Sequence, residues 1–560
     1  MTLLSRAARR IWKLPPATTP VVDHYRDLPV PMRDGVVLLA DRYAPRWPGP
    51  VPTLLVRSCY GRRGLMGFQY GQLFAERGFQ VVIQSIRGAY GSGGALDPLI
   101  HEADDGQDTV SWLCRQSWFS PPLGMVGASY LGYAQWAVGM EPPTELAAMS
   151  IQMGPRDPVR TIYPGGAFAL ENWLTWAEDI TGRPWANSVL WASIEGYLAG
   201  RRAVRRLVPA FTDVPVGEGY RRALGHRVPF LEDWMRHPGD GPYWQARSVA
   251  DAAHRVRVPV GLLSGWYDAF LADTLDAYRV LHQRGQQVRL TVGPWGHSGL
   301  GDDWPAMFRD GFSWLRAHLA GDQSQLGSAP VRVFVLGHGG HWRDLESWPP
   351  PGVASCRWYL HPGRTLGRDQ PPDSPADRFR YDPADPTPSL GGATLGAGDG
   401  PRDDRRLESR ADVLTYTSPP LTENLVVAGA VTAEVHYQPG LAYADVFVRL
   451  CDVAPDGSST NVCDGLRRLS GPPVAGEQPV RCVVVDMAAT AYLLPRGHRL
   501  RVHVSGGAHP RFARNHGTGD PLGTATRMVA GVHAVHHTPA CPSAVILPVL
   551  SRLPGTPVPA

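Results

Sequence analysis

Lysine is nearly missing from this sequence. Of 55 basic residues, Lys13 is the only lysine. Arginine takes its place along the whole chain without forming a basic block, and the formal net charge is only +4. Such a bias reflects overall composition and argues against a nucleic-acid partner. Cysteine is also scarce. The seven are Cys59, Cys114, Cys356, Cys451, Cys463, Cys482 and Cys541, odd in number and scattered. No C-x-x-C pair occurs, so neither a zinc site nor a disulfide framework is indicated. Reduced, mostly buried thiols are the expectation. No apolar run approaches the ~20 residues that span a bilayer. Residues 1–20 hold Arg6, Arg9, Arg10 and Lys13 but no continuous apolar segment of the signal-peptide kind. Cytoplasmic residence without a membrane partner is the default expectation. No internal repeat is evident.

What is present is an ordinary globular composition, 43% hydrophobic and 19% charged. At 560 residues the chain is too long for one core, and two or three domains are expected. Met32-Arg33-Asp34-Gly35 reads as the turn of an opening hairpin within Val30–Pro45. Apolar runs follow at Pro52–Tyr60, Phe79–Arg87 and Leu123–Ala128. Helical stretches at Gln69–Arg77 and Asp105–Gln116 separate them. In the second, Val110, Leu113 and Cys114 fall at i, i+3 and i+4 and make one apolar face. Strands apolar throughout that alternate with helices predict a parallel sheet covered on both faces.

From about Pro155 to Val256 no strand pattern is visible. The region is rich in aromatics, among them Trp173, Trp176, Trp185, Trp191, Tyr197, Trp234, Tyr243 and Trp244. It reads as a helical cap over the carboxyl edge of the sheet, with most of these rings packing its own core. The sheet pattern resumes at Val258–Leu263 and Val288–Val292, with helices at Ala272–Arg284 and Trp304–Leu319. After Gln325 short alternating strands predominate. They include Val331–Leu336, Val426–Tyr437, Asp445–Val453 and Leu500–Val504, and they predict an all-β sandwich or jelly roll. Pro371–Asp404, rich in Pro, Asp and Gly, reads as an irregular surface excursion. The predicted fold is therefore α/β. Residues 25–154 and 257–325 form the sheet domain, 155–256 the cap and 326–560 the β domain. Residues 1–24 are an extension.

Three polar residues follow strands of the sheet domain: Ser129 in Gly127-Ala128-Ser129-Tyr130-Leu131-Gly132, Asp268 in Gly265-Trp266-Tyr267-Asp268, and His297 in Gly293-Pro294-Trp295-Gly296-His297. Each alone says little. A serine in a glycine-rich turn is common, an Asp after a strand more often caps the next helix, and a histidine packs readily. Together, in the chain order Ser, Asp, His, they match the nucleophile, orienting acid and base of an α/β-hydrolase. The carboxyl ends of parallel strands share one edge, where distant residues converge. Leu131 occupies the glycine site of the usual G-x-S-x-G elbow, and the third glycine comes one residue late.

With these motifs the chain resembles the CocE/NonD hydrolases, the group of cocaine esterase, α-amino-acid ester hydrolases, glutaryl acylases and X-prolyl dipeptidyl peptidases. Tyr60-Gly61-Arg62, Arg87-Gly88 and Gly91-Ser92-Gly93-Gly94 add to the likeness. So do Asp464-Gly465-Leu466-Arg467 and Pro510-Arg511-Phe512-Ala513-Arg514-Asn515 in the β half. The likeness covers roughly residues 25–550. It implies an α/β-hydrolase domain with a helical cap insertion, followed by a jelly-roll-like C-terminal domain. It also implies Ser129 as nucleophile, His297 as general base and Asp268 as its orienting carboxylate. The oxyanion donors it implies are the Tyr130 N–H and the Tyr60 hydroxyl. Cys59 and Ser85 stand where family members commonly have Pro and Asp, and local loop shape is expected to differ there.

No cofactor and no metal is implied. The expected partner is a small-molecule ester or amide, with room for a homodimer. Phe270, Trp173 and Trp176 are candidates for an aromatic substrate wall. Glu171, Glu178 and Asp179 could recognise an amine, or could equally form an exposed helix face. An esterase is ranked above a dipeptidyl peptidase. A ligand-binding protein with a vestigial hydrolase half is the reading from a different class.

Overall fold

The computed structural model describes residues 3–182, 206–297, 303–396, 398–471 and 478–550. Helix α1 (Leu3–Ile11) precedes a long hairpin of β1 (Val22–Pro31) and β2 (Val37–Pro45), whose turn is the predicted one. The strands β3 (Thr53–Ser58), β4 (Gln80–Ser85), β5 (Leu123–Ala128), β6 (Leu146–Gln152), β7 (Val260–Tyr267), β8 (Val288–Gly296), β9 (Val331–Gly337) and β10 (His341–Leu345) complete one sheet. Its order is β1-β2-β4-β3-β5-β6-β7-β8-β9-β10, and every neighbour from β4 to β9 is parallel. Each residue of β3, β4, β5 and β7 is buried, as a sheet with two covered faces requires.

Helices α2 (Glu102–Cys114), α3 (Tyr130–Val138), α4 (Leu170–Thr181), α5 (Leu271–Gln283) and α6 (Trp304–Ala320) are the main ones around it. The predicted helix at Gln69–Arg77 is an irregular helical stretch that contains a π-helical turn at Gly67–Gln72. Among the described residues of the cap only helices and loops occur between Pro158 and Arg255. Trp185, Trp191 and Tyr197 lie outside the described residues. Trp173, Trp176, Trp234 and Trp244 are buried.

Two sequence expectations need correction. The sequence stretch Val331–Leu336 is expected to open the β domain. Instead it lies parallel to β8 at the far side of the first sheet. Its alternating burial arises because only one face of the strand is covered there. Its last residues, Leu336 and Gly337, also pair with Tyr492 and Leu493 of the β domain, and so join the two parts.

The second correction concerns Pro371–Asp404. This stretch contains a strand, Asp377–Tyr381, and buries Thr387, Thr394 and Asp404. It is not a surface excursion but a strap that crosses the β domain toward the sheet edge.

The β domain consists of two antiparallel ladders. One runs through Ala354–His361, Ala544–Leu550, Leu425–Gln438 and Arg481–Leu494. The other runs through Ser459–Leu469, Ala444–Val453, Arg499–Ser505 and Val413–Thr417. Val435 and Val485 of the first join Val448 and Val502 of the second in one apolar cluster. The thiols are all free. Cys59, Cys356, Cys451 and Cys463 are buried, and Cys482 is exposed. Among the described residues no helix is long and apolar enough to cross a membrane.

Candidate active site

The turn after β5 is built by steric necessity. Ser129 has φ 60° and ψ −127°, a strained conformation for a residue with a side chain. Its backbone N–H is anchored on the Gln152 carbonyl at 2.9 Å. Gly127 faces Leu131 so closely that a Cβ would lie 2.4 Å from the leucine Cβ. Gly132, the late glycine of the motif, packs on the backbone of Gly154, and a Cβ there would lie 2.6 Å from the Gly154 Cα. The displaced glycine thus lets α3 cross β6 at close range, while Leu131 fills the space beside Gly127.

The three candidate residues meet at the carboxyl edge of the sheet. Ser129 follows β5, Asp268 follows β7 and His297 follows β8. His297 Nε2 lies 3.0 Å from Ser129 Oγ, and His297 Nδ1 lies 2.8 Å from Asp268 Oδ1. The Asp268 side chain is fully buried. It accepts further hydrogen bonds from Ser264 Oγ at 2.6 Å and from the Phe270 N–H at 3.2 Å. A buried carboxylate needs such partners. Ser264 fixes the second oxygen, Oδ2, while the Phe270 N–H shares Oδ1 with the imidazole. Phe270 packs edge-on against His297 with ring centroids 5.0 Å apart.

Tyr60, two residues beyond β3, brings its hydroxyl to 3.4 Å from Ser129 Oγ and accepts from Trp176 Nε1 at 3.1 Å. Burial pushes the Tyr60 phenol well above the usual tyrosine range, so it stays neutral. Tyr130 is the first residue of α3. N–H groups in the first turn of a helix have no intrahelical acceptor and point out of the helix end. The Tyr130 side chain turns away from the site. Its hydroxyl donates to Glu102 and accepts from the Leu99 N–H. Burial pushes the Glu102 carboxyl up.

Two clefts open at Ser129. The smaller is walled by Trp173, Trp176, Trp234, Phe270 and Tyr133. The larger is lined by Tyr60, Met66, Tyr70, Leu131, Asp179 and His297. Trp176 and Leu395 border both. All three residues read from sequence as a substrate wall, Phe270, Trp173 and Trp176, line the smaller cleft. The carboxylates do not form an exposed helix face. Glu178 is buried and lies 3.6 Å from Arg206, Glu171 is half-buried, and Asp179 faces the larger cleft.

Leu395 was missed from sequence, because it sits in the strap. Its backbone N–H donates to Asn172 Oδ1 on α4 at 2.9 Å. The strap reaches the site by passing over the Asp464–Arg511 ion pair, 2.6 Å, which joins the two β-domain motifs. Gly392 makes the crossing at φ +84°, where a Cβ would lie 2.6 Å from the Arg511 guanidinium. Farther on, Asp399 presses against Gly296, next to His297. Two leucines, Leu390 and Leu395, in an otherwise small and polar stretch were the available signal.

The two motif departures are buried and partnered. Ser85 Oγ accepts from Arg62 at 2.7 Å, and Cys59 lies beside Tyr60. Among the described residues, Asp404, Cys451 and His503 bring metal-ligand types within 4.8 Å of one another in the β domain. Asp404 is already held there by Arg449 through two bonds of 2.9 and 3.1 Å. The cluster therefore belongs to a buried ion-pair network.

Comparisons with known proteins place the chain in a family. Residues 34–299 match the X-Pro dipeptidyl-peptidase (S15 family) profile, and residues 327–546 match the X-Pro dipeptidyl-peptidase C-terminal non-catalytic domain. Cocaine esterase of Rhodococcus sp. (strain MB1 Bresler) is 32% identical over 93% of this chain and 98% of its own length. A putative serine esterase of Mycobacterium bovis is 26% identical over 87% of this chain and 91% of its own. In fold, the chain is similar to an aminopeptidase from a Thaumarchaeota archaeon, with TM-score 0.79 and 23% identity over 96% of this chain and 99% of that one. The chain belongs to the CocE/NonD family of serine hydrolases, enzymes that cleave ester or amide bonds.

Proposed function

We propose that this protein hydrolyses carboxylic esters of small molecules by two-step acyl transfer. Ser129 is the nucleophile, His297 the general base and Asp268 the carboxylate that orients it. The observation that carries the assignment is the unbroken chain from Ser129 Oγ to His297 Nε2 and from His297 Nδ1 to Asp268 Oδ1, 3.0 and 2.8 Å. Hydrogen-bond reach along such a chain is the geometric requirement for an activated serine.

His297 takes the Ser129 proton as Oγ attacks the carbonyl carbon. The Tyr60 hydroxyl and the Tyr130 N–H donate to the oxygen on which negative charge develops. A neutral phenol in a dry site is a strong donor to an oxyanion. Protonated His297 then hands its proton to the leaving alcohol. Water repeats the sequence on the acyl-enzyme and releases the acid.

The aromatic walls of the smaller cleft support an acyl group with an apolar, ring-sized body. The relative named cocaine esterase is consistent with an ester substrate. A second reading, an ester or amide that carries a free amine, is favoured by the Asp179 carboxylate in the larger cleft. A hydrolysis screen of aryl esters, amino-acid esters and X-Pro anilides tests both. Aryl esters are expected to give the highest kcat/KM, with all turnover lost in Ser129→Ala. Dominant X-Pro anilide cleavage would replace the first reading.

A further inference from the structure

Trp176 sits on the cap, yet its indole touches the residue assigned above as an oxyanion donor. The Nε1–H donates to the Tyr60 hydroxyl oxygen at 3.1 Å. The same hydroxyl lies 3.4 Å from Ser129 Oγ. An indole nitrogen only donates, so the direction of the first bond is fixed. A phenol has one proton, which rotates to suit its neighbours. An N–H aimed at the oxygen excludes that proton from the Trp176 side. It also polarises the O–H and makes it a better donor in turn. Buried Cys59 is a further neighbour, but a sulfur is only a weak acceptor.

The indole itself is clamped. Its ring stacks with those of Tyr130 and Trp234, with centroids 5.8 Å apart in each pair and interplanar angles of 17° and 9°. Trp173 meets it edge-on at 5.7 Å. An aromatic stack of this kind holds the N–H vector in place at low entropic cost. Tyr130, one of these stacking partners, carries the other proposed oxyanion N–H on its backbone.

We infer that Trp176 is a positioning residue. Its indole N–H sets the Tyr60 hydroxyl proton toward the developing oxyanion, so the cap completes the oxyanion hole and does more than wall the acyl pocket. This rests on the acyl-transfer reading above.

The test is a double-mutant cycle on hydrolysis of a p-nitrophenyl ester. Trp176→Phe keeps an aromatic ring and removes the N–H. The expected result is a kcat lowered roughly five-fold, the effect of one neutral hydrogen bond, with KM changed less than about two-fold. In a Tyr60→Phe background the same substitution should cost nothing further. Replacing Trp176 by 3-benzothienylalanine, which preserves indole shape without the N–H, guards against a loosened cap and should reproduce the kcat loss. An unchanged kcat in that isostere, or a full additional loss in the Tyr60→Phe background, overturns the inference. Turnover retained in Ser129→Ala would instead overturn the underlying reading.

Discussion

The Leu395 N–H donates to Asn172 Oδ1 at 2.9 Å, and this bond ties the β-domain strap to the cap helix that carries Trp173 and Trp176. Three parts of the chain thus meet at the lip of one site. Asn172→Ala removes a buried acceptor and leaves the Leu395 N–H unpaired, a loss of about 1–2 kcal/mol. KM for an aryl ester is expected to rise several-fold with kcat less affected, because the residues in contact with the carbonyl are untouched. Steady-state kinetics of the variant check this.

Tyr130→Phe should destabilise the protein by about 1–3 kcal/mol. The hydroxyl is the partner of buried Glu102, and its loss leaves the carboxyl short of a donor. Its backbone N–H remains, so residual activity at low temperature is expected to survive far better than in Ser129→Ala. Denaturant titration and activity of the same preparation separate the two effects.

Gly132→Ala tests the displaced glycine. A Cβ at this position meets backbone, the Gly154 Cα at 2.6 Å, and no side chain can swing away to relieve it. α3 would have to retreat from β6 and carry the Ser129 turn with it. Both thermal stability and kcat should fall. A variant with normal Tm and normal kcat would show that the close approach is not required.

Acid should weaken the β domain. Burial depresses the imidazoles of His509, His516 and His533 to about 4. A histidine held neutral in the folded state contributes stability above its unfolded value near 6.5, and that contribution is lost as pH falls toward 4. His533 stacks on Tyr437 and accepts from the Gly440 N–H, so no room is left for a second proton's partner. By linkage a single such group costs roughly 2 kcal/mol between pH 7 and pH 5. His533→Gln should shrink the stability difference between those pH values by about that amount, measured by urea unfolding at each pH.

Much of this architecture is legible in the sequence because it rests on local rules. All-apolar strands mark a two-sided parallel sheet, and Ser129, Asp268 and His297 stand at the ends of three of them, where topology alone brings them together. What escaped reading is set by tertiary contacts. Leu395 gains its place from Asn172, more than two hundred residues away, and from an ion pair beneath Gly392. Val331–Gly337 has the alternation of a sandwich strand because only one of its faces is covered. Glu178 has the spacing of a surface residue, and packing against the cap buries it.

On the proposed mechanism Ser129 forms the acyl-enzyme. Peptide mapping of the purified protein after reaction with a fluorophosphonate probe tests it most directly. One adduct is expected, on Ser129, with stoichiometric loss of ester hydrolysis and no labelling of His297→Ala at the same probe concentration. An active enzyme that carries the adduct elsewhere, or that stays active with Ser129 modified, would contradict it.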